Sequence, residues 1–364
     1  MKIKLFSKKN NEITINLDQI KKQISELEVL FEQKFDFKDH FIKIQKNESL
    51  INPKYLIEII TLILSDLGYF VNFREIQNII KKRNPNTEME KFTYSLFEGL
   101  TMFWQSKKII HQNNIFMLYR IINNAENVQF GTSLFRQNNN IIFKNLTFKL
   151  DVFDYNRVAA SFNELIEFIN DNEESMLPLI KMQIIHIHNL AISPFETYNV
   201  LFSKILSIWY LLSYGKVKDA EIMTIHDYLN TYYLNVDKYI RAINDSLNEE
   251  NYTPFINFTL TSMIKISKDK NLIEHICHFL QQNKKIYLAD YEKKILFMII
   301  FHQMDEFDWR FFRKETKWSI SKQYIIRNLS KLEFYSLLTS KSLKNRKFFY
   351  RSRILKSVIQ NLEE

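Results

Sequence analysis

The sequence is short of the residues that interrupt regular structure. Its 364 residues include only four glycines and five prolines, so the frequent tight turns of an all-β sandwich are excluded and helices can run long. One cysteine, Cys277, excludes an internal disulfide. It lies in the apolar run His-Ile-Cys-His-Phe-Leu, where a buried thiol in a reducing compartment is expected. No stretch of about 18 residues is free of charge and strong polarity, and the densest apolar run, 205–214, is about a helix core long. The opening MKIKLFSKKNNEITINL holds no apolar segment of signal-peptide length. A cytoplasmic protein with no membrane partner is expected.

What is abundant is apolar and aromatic. Apolar residues make up 46% of the chain and aromatics 15%, more than a disordered chain leaves in water. The length suffices for two or three domains, each with its own core. Ile20, Ile24, Leu27 and Phe31 draw one helical stripe through 16–35, with Asp18 early and Lys34 late to suit the helix dipole. Helical patterns continue through 52–84 and 87–106, which makes 1–86 an amino-terminal helical subdomain. Between 131 and 155 the period falls to two. Leu146, Phe148, Leu150 and Val152 alternate with Thr147, Lys149 and Asp151, and with 141–143 they predict a small β-hairpin. Helices resume at 157–170, 178–191, 196–214, 219–248 and 254–266, so the fold class is mainly α.

The segment 178–215, PLIKMQIIHIHNLAISPFETYNVLFSKILSIWYLLSYG, resembles the core of the Fic (Fido) family, whose members transfer AMP or related groups onto hydroxyl side chains. The family's loop between two apolar helices reads His-Pro-Phe-x-(Asp or Glu)-Gly-Asn-(Gly or Lys)-Arg-x-x-Arg. Here it reads Ser193, Pro194, Phe195, Glu196, Thr197, Tyr198, Asn199, Val200, Leu201 and, at the last position, Lys204. The hairpin at 141–152 resembles the family's target-binding flap, and 162–171 the helix after it. Downstream, 227–260 resembles a Tyr-rich helix and an aromatic segment, with Tyr252, Pro254, Phe255, Ile256 and Phe258 in place. The resemblance covers about 87–266 and implies a Fic-fold helical bundle as a core domain, 87–285.

Inside that frame the chemistry departs from the family. Ser193 stands where a histidine takes the proton of the attacking hydroxyl, and an unassisted serine does not accept protons at neutral pH. Thr197 replaces the carboxylate that holds magnesium. Tyr198 and Val200 replace the glycines of the anion nest, and Leu201 replaces a phosphate-pairing arginine. Asn199 and the charge of Lys204 are what is left for a nucleotide. The resemblance thus implies a pseudo-enzyme without a cofactor. Its alternative is a Fic-type protein adenylyltransferase that uses ATP and magnesium at a non-standard site. His186 and His188, two apart on one helix, face different sides and read as core or surface residues, not as a metal site.

Charge gathers at the carboxy-terminal end. Residues 309–356 hold 14 Lys and Arg against Glu315 and Glu333, a net +12 that leaves −3 for the rest of the chain. Helical runs at 291–302, 306–316 and 321–334, then β-prone runs at 334–340 and 347–351, resemble a winged helix-turn-helix and define a domain 286–364. That resemblance implies that Ser319, Ser321, Lys322, Gln323, Tyr324 and Arg327 enter a major groove. It implies that Lys341, Lys344, Arg346, Lys347, Arg351 and Arg353 form a wing that meets phosphates. Double-stranded DNA is the partner so implied. Other partners open to this chain are an extended peptide added to the 141–152 hairpin, and a second copy, since such modules also pack or form a homodimer.

Overall fold

The computed structural model describes residues 2–33, 53–66, 71, 73–82, 85–105, 109–123, 134–139, 141, 150, 152–171, 176–213, 227–229, 231, 236–316, 321–343 and 346–363. They are mainly helical. The chain divides into two compact units, Met1–Thr261 and Ser262–Glu364.

The first unit opens on an antiparallel pair, β1 (Lys2–Phe6) and β2 (Glu12–Thr14), in which Lys2 faces Thr14 and Phe6 faces Glu12. Ile3 and Leu5 of β1, with Ile13 and Ile15, are buried while their neighbours Lys2 and Glu12 are exposed, the period-two pattern of a half-buried sheet. The pair is tied to the far end of the unit. Thr14 N–H donates to Glu250 O (3.1 Å) and Tyr252 N–H to Thr14 O (3.0 Å).

Helices follow: α1 (Leu17–Gln33), α2 (Pro53–Asp66), α3 (Phe73–Lys82), α4 (Glu88–Gln105), α5 (Gln112–Ile122), α6 (Val158–Asn170), α7 (Pro178–Ile192), α8 (Asn199–Ser213) and α9 (Val236–Asn248). In α1 the stripe points inward through Ile20 and Leu27, with Leu30 joining it. Two helices form the centre. Every residue of 180–192 in α7 and of 201–211 in α8 is buried. A helix that is apolar on all sides is stable only when neighbours cover all of it, and α7 and α8 pack against each other. The short loop between them carries the family-like motif.

Helix α10 (Thr253–Lys284) contains the boundary between the units. It continues 18 residues beyond the expected end at Ile266, because the polar run Ser267–Asn271 holds no Gly or Pro, and the Lys265–Asp269 ion pair (2.9 Å) supports it at i,i+4. The second unit then runs α11 (Asp290–Phe301), β3 (Glu306–Phe307), α12 (Trp309–Thr316), α13 (Lys322–Phe334), β4 (Leu338–Leu343), β5 (Arg346–Arg351) and α14 (Arg353–Glu363). The strands form an antiparallel sheet in the order β3-β5-β4, with Leu338 facing Arg351, Leu343 facing Arg346 and Glu306 facing Tyr350. The expected helix at 306–316 therefore begins at Trp309. Glu306 and Phe307 pair with β5 instead, and Asp308 turns the chain by accepting from Arg310 N–H (2.8 Å). Leu329 and Leu332 of α13, with Phe312 and Phe349, are buried in the core of this unit.

The 141–152 hairpin falls mostly outside the described residues. The described residues at its ends are joined: Asn139 Nδ2 donates to Asp154 Oδ2 (3.0 Å), and Tyr155 N–H donates to Asn139 Oδ1 (2.9 Å).

Candidate functional site

The motif loop begins where α7 stops. Ser193 takes a left-handed conformation (φ 44, ψ 67) and its N–H donates to Asn189 O (2.8 Å), while its hydroxyl donates to Leu190 O (2.6 Å). These are the bonds of a helix C-cap, so the hydroxyl at the family's base position is engaged by the preceding turn. Phe195, fully buried, stacks on Tyr119 (4.1 Å between centroids) and meets Phe116, Phe162 and Phe202 edge-on. Thr197 and Tyr119 share a hydroxyl–hydroxyl bond (3.3 Å), and burial raises the Tyr119 pKa.

At the glycine position Tyr198 adopts φ 63, a conformation L side chains resist. Its ring lies parallel to that of Phe92 (5.7 Å). Asn199 is only 2% exposed and folds back on the loop. Its Oδ1 accepts from Phe195 N–H (3.0 Å) and its Nδ2 donates to Phe195 O (2.7 Å). Ser203 Oγ donates to Asn199 O (2.8 Å) and accepts from Asn189 Nδ2 (2.8 Å), which joins α8 to α7. Leu201 and Lys204 are buried as well, and the charge of Lys204 acts on the buried imidazole of His186.

Periodicity did not single out Arg136, and it holds this loop in place. All five guanidinium donors are matched. Nε donates to Ser193 O (2.9 Å), Nη1 to Asn138 O (2.8 Å) and Asn139 Oδ1 (2.9 Å), and Nη2 to Phe153 O and Ile192 O (3.3 Å). Its N–H also donates to Pro194 O (3.0 Å). The cation thus sits on the last carbonyls at the α7 C-terminus, where the helix dipole is negative. Burial lowers its pKa and the Asp154 charge opposes that shift. A lone arginine inside SLFRQNNN has no periodic or motif signal to mark it.

Both histidines of α7 are core residues with tyrosine partners. His186 Nε2 lies 2.5 Å from the Tyr239 hydroxyl, and the Tyr228 hydroxyl bonds its Nδ1. A neutral imidazole offers one donor and one acceptor, so one tyrosine gives and the other receives. His188 Nδ1 pairs with the Tyr252 hydroxyl (2.7 Å). Burial, with the Lys204 charge added, pushes His186 well below its ordinary value, and burial alone pushes His188 down to about 3. No group of three or more His, Cys, Asp or Glu able to hold a metal occurs among the described residues. Cys277 is half-buried, and burial raises its pKa.

In the second unit, Ser321 is the N-cap of α13 and accepts from Tyr324 N–H (3.2 Å). Lys322, Gln323, Tyr324 and Arg327 are exposed on this helix. Lys322 Nζ lies over the Trp309 ring (5.4 Å), and Tyr324 meets Tyr291 edge-on (4.8 Å). Lys341 on β4, Arg346 on β5 and Arg353 on α14 are exposed. Lys347 instead pairs with Glu333 of α13 (2.7 Å), which also accepts from Ser340 (2.5 Å), and Arg351 Nε donates to Met304 O (2.8 Å). Burial raises the Glu333 pKa, but the Lys347 and Ser340 bonds outweigh it and the net shift is down. Ser319 and Lys344 lie outside the described residues. No described helix is long and apolar enough to cross a membrane.

Comparison with protein-family profiles and with curated proteins finds no match. Among solved structures, a Fic family protein from Desulfovibrio desulfuricans G20 superposes with a TM-score of 0.52 at 10% identity, over 92% of this chain and 96% of that one. Two others superpose more loosely. Caenorhabditis elegans Fic-1, residues 134 to 508, has a TM-score of 0.43 at 13% identity, over 68% and 70% of the two chains. A Fic domain containing signaling protein from Bacteroides thetaiotaomicron VPI-5482 has 0.41 at 15%, over 68% and 94%. With α7, the loop and α8 at its centre and the agreement running along nearly the whole chain, this protein has a Fic fold.

Proposed function

We propose that this chain is a Fic-fold pseudo-enzyme whose motif loop serves the scaffold, and that it acts as a regulator or adaptor by binding double-stranded DNA through 286–364. The observation that carries the first half is Asn199. The polar group best placed to meet a nucleotide is buried with both ends of its amide on Phe195. Ser193, Leu201 and Lys204 are buried beside it. No side chain in the loop supplies a base at the position of Ser193 or a carboxylate at that of Thr197.

The second half rests on charge and element order. The +12 of 309–356 falls on a unit that runs helix, strand, helix, helix, strand, strand, the order of a winged helix. In this reading α13 enters the major groove. Lys341, Arg346 and Arg353 meet the backbone, while Lys347 and Arg351 hold the wing on its base through Glu333 and Met304. Calorimetric titration with ATP and magnesium tests the first half, and no heat of binding is expected. Duplex binding followed across a salt series tests the second, with affinity expected to fall steeply as salt rises. Saturable ATP binding lost on Asn199→Ala would restore the adenylyltransferase alternative.

A further inference from the structure

Of the described groups on α13 that face outward at its start, most are held by the module itself. Ser321 caps the helix, Lys322 lies over Trp309 and Tyr324 packs on Tyr291. Gln323 and Arg327 differ. Both are exposed, and neither makes a hydrogen bond or ion pair among the described residues. Four residues along a helix turn about 400°, so the two side chains stand within about 40° of each other. The buried residues Ile325, Asn328, Leu329 and Leu332 centre on the opposite side. Two long side chains with planar, two-pronged hydrogen-bonding ends therefore share the outermost line of the helix.

Those ends match particular bases. A glutamine amide pairs in two places with adenine N6 and N7, and a guanidinium pairs in two places with guanine O6 and N7. The helical rise separates their Cα atoms by about 6 Å, and successive base pairs rise by about 3.4 Å, so the bases reached lie about two base pairs apart. We infer that Gln323 and Arg327 are the base-reading pair of this protein, Gln323 selecting an adenine and Arg327 a guanine about two base pairs away in the major groove. This inference rests on the proposed binding of duplex DNA. The remaining cations of the module then contribute affinity without sequence preference.

The test is selection by the full-length protein from a duplex library with a random core, repeated with Gln323→Ala and Arg327→Ala. Thermal melting first verifies that the two exposed substitutions leave the fold intact. The parent is expected to enrich duplexes with an adenine and a guanine about two positions apart. Gln323→Ala should lose the adenine preference only and Arg327→Ala the guanine preference only, each with about a tenfold or greater loss of affinity for the selected duplex and little loss for a random one. Duplex binding without base preference, or a preference that survives both substitutions, overturns the inference and leaves DNA binding standing. No duplex binding even at low salt overturns both.

Discussion

Asn199 and Phe195 are joined twice, by an N–H donated to Oδ1 (3.0 Å) and by Nδ2 donated to the carbonyl (2.7 Å). The side chain closes a ring with the backbone four residues earlier and holds the loop in one shape. Asn199→Ala leaves both Phe195 groups unmatched in a buried place, and a loss of about 2–4 kcal/mol of stability is expected. Urea denaturation of the parent and variant measures it. A loss under 0.5 kcal/mol, the ordinary range about a surface site, would show that the ring does not hold the loop.

Arg136 is expected to matter as much as any apolar core residue. Arg136→Met leaves four carbonyls and one amide oxygen without their donor, at a cost of about 3–5 kcal/mol. Arg136→Lys keeps the charge but offers three donors from one point, so it recovers only part of the loss. Thermal denaturation should rank the three proteins parent, Lys, Met.

The buried histidines make stability fall in mild acid. The folded-state pKa of each is depressed, well below 6.5 for His186 and to about 3 for His188. Below pH 6.5 the unfolded chain takes up protons that the folded chain refuses. Their stabilising contribution is therefore full above that value and declines as pH falls toward the folded pKa. Between pH 7 and 5.5 each contributes a loss of about 1 kcal/mol. That window lies above the carboxylates with lowered values, Glu90, Asp154, Glu250 and Glu333. Urea midpoints at the two pH values measure the loss, and His188→Asn should roughly halve it.

The basic residues of the proposed wing divide into two kinds. Lys341→Ala or Arg346→Ala should each lower the slope of log K against log salt for duplex binding by about 0.9, the signature of one phosphate contact. Lys347→Ala acts mainly on the module itself, since it breaks the half-exposed pair with Glu333, and about 1 kcal/mol of stability is at stake. Fluorescence anisotropy across a salt series, beside a melting curve, separates the two effects.

Much of the architecture was legible because α7 and α8 write it plainly. Two long apolar runs around Ser-Pro-Phe read as buried helices, and their order against the flanking segments carries the resemblance that suggests the fold. Shorter elements were harder. Lys2–Phe6 alternates cleanly, with Ile3 and Leu5 inward, yet five residues carry too little signal to stand against the helical pattern that follows. β3 was hidden because two residues pair with β5 only through the tertiary fold. In the loop, residue types showed which groups were missing. They did not show that Asn199 binds Phe195, nor that Arg136 from a distant segment caps α7, because both depend on where the chain returns. The tyrosines that bond His186 and His188 come from 228, 239 and 252, 40 or more residues further along the chain.

Hydrogen–deuterium exchange of the full-length protein, alone, with ATP and magnesium, and with duplex DNA, tests most directly that function has left the motif loop for the carboxy-terminal module. Duplex DNA is predicted to slow exchange in α13, β4 and β5, and ATP with magnesium to leave 193–204 unchanged. Slowed exchange across 193–204 on adding ATP, with none in 321–351 on adding DNA, would contradict the account.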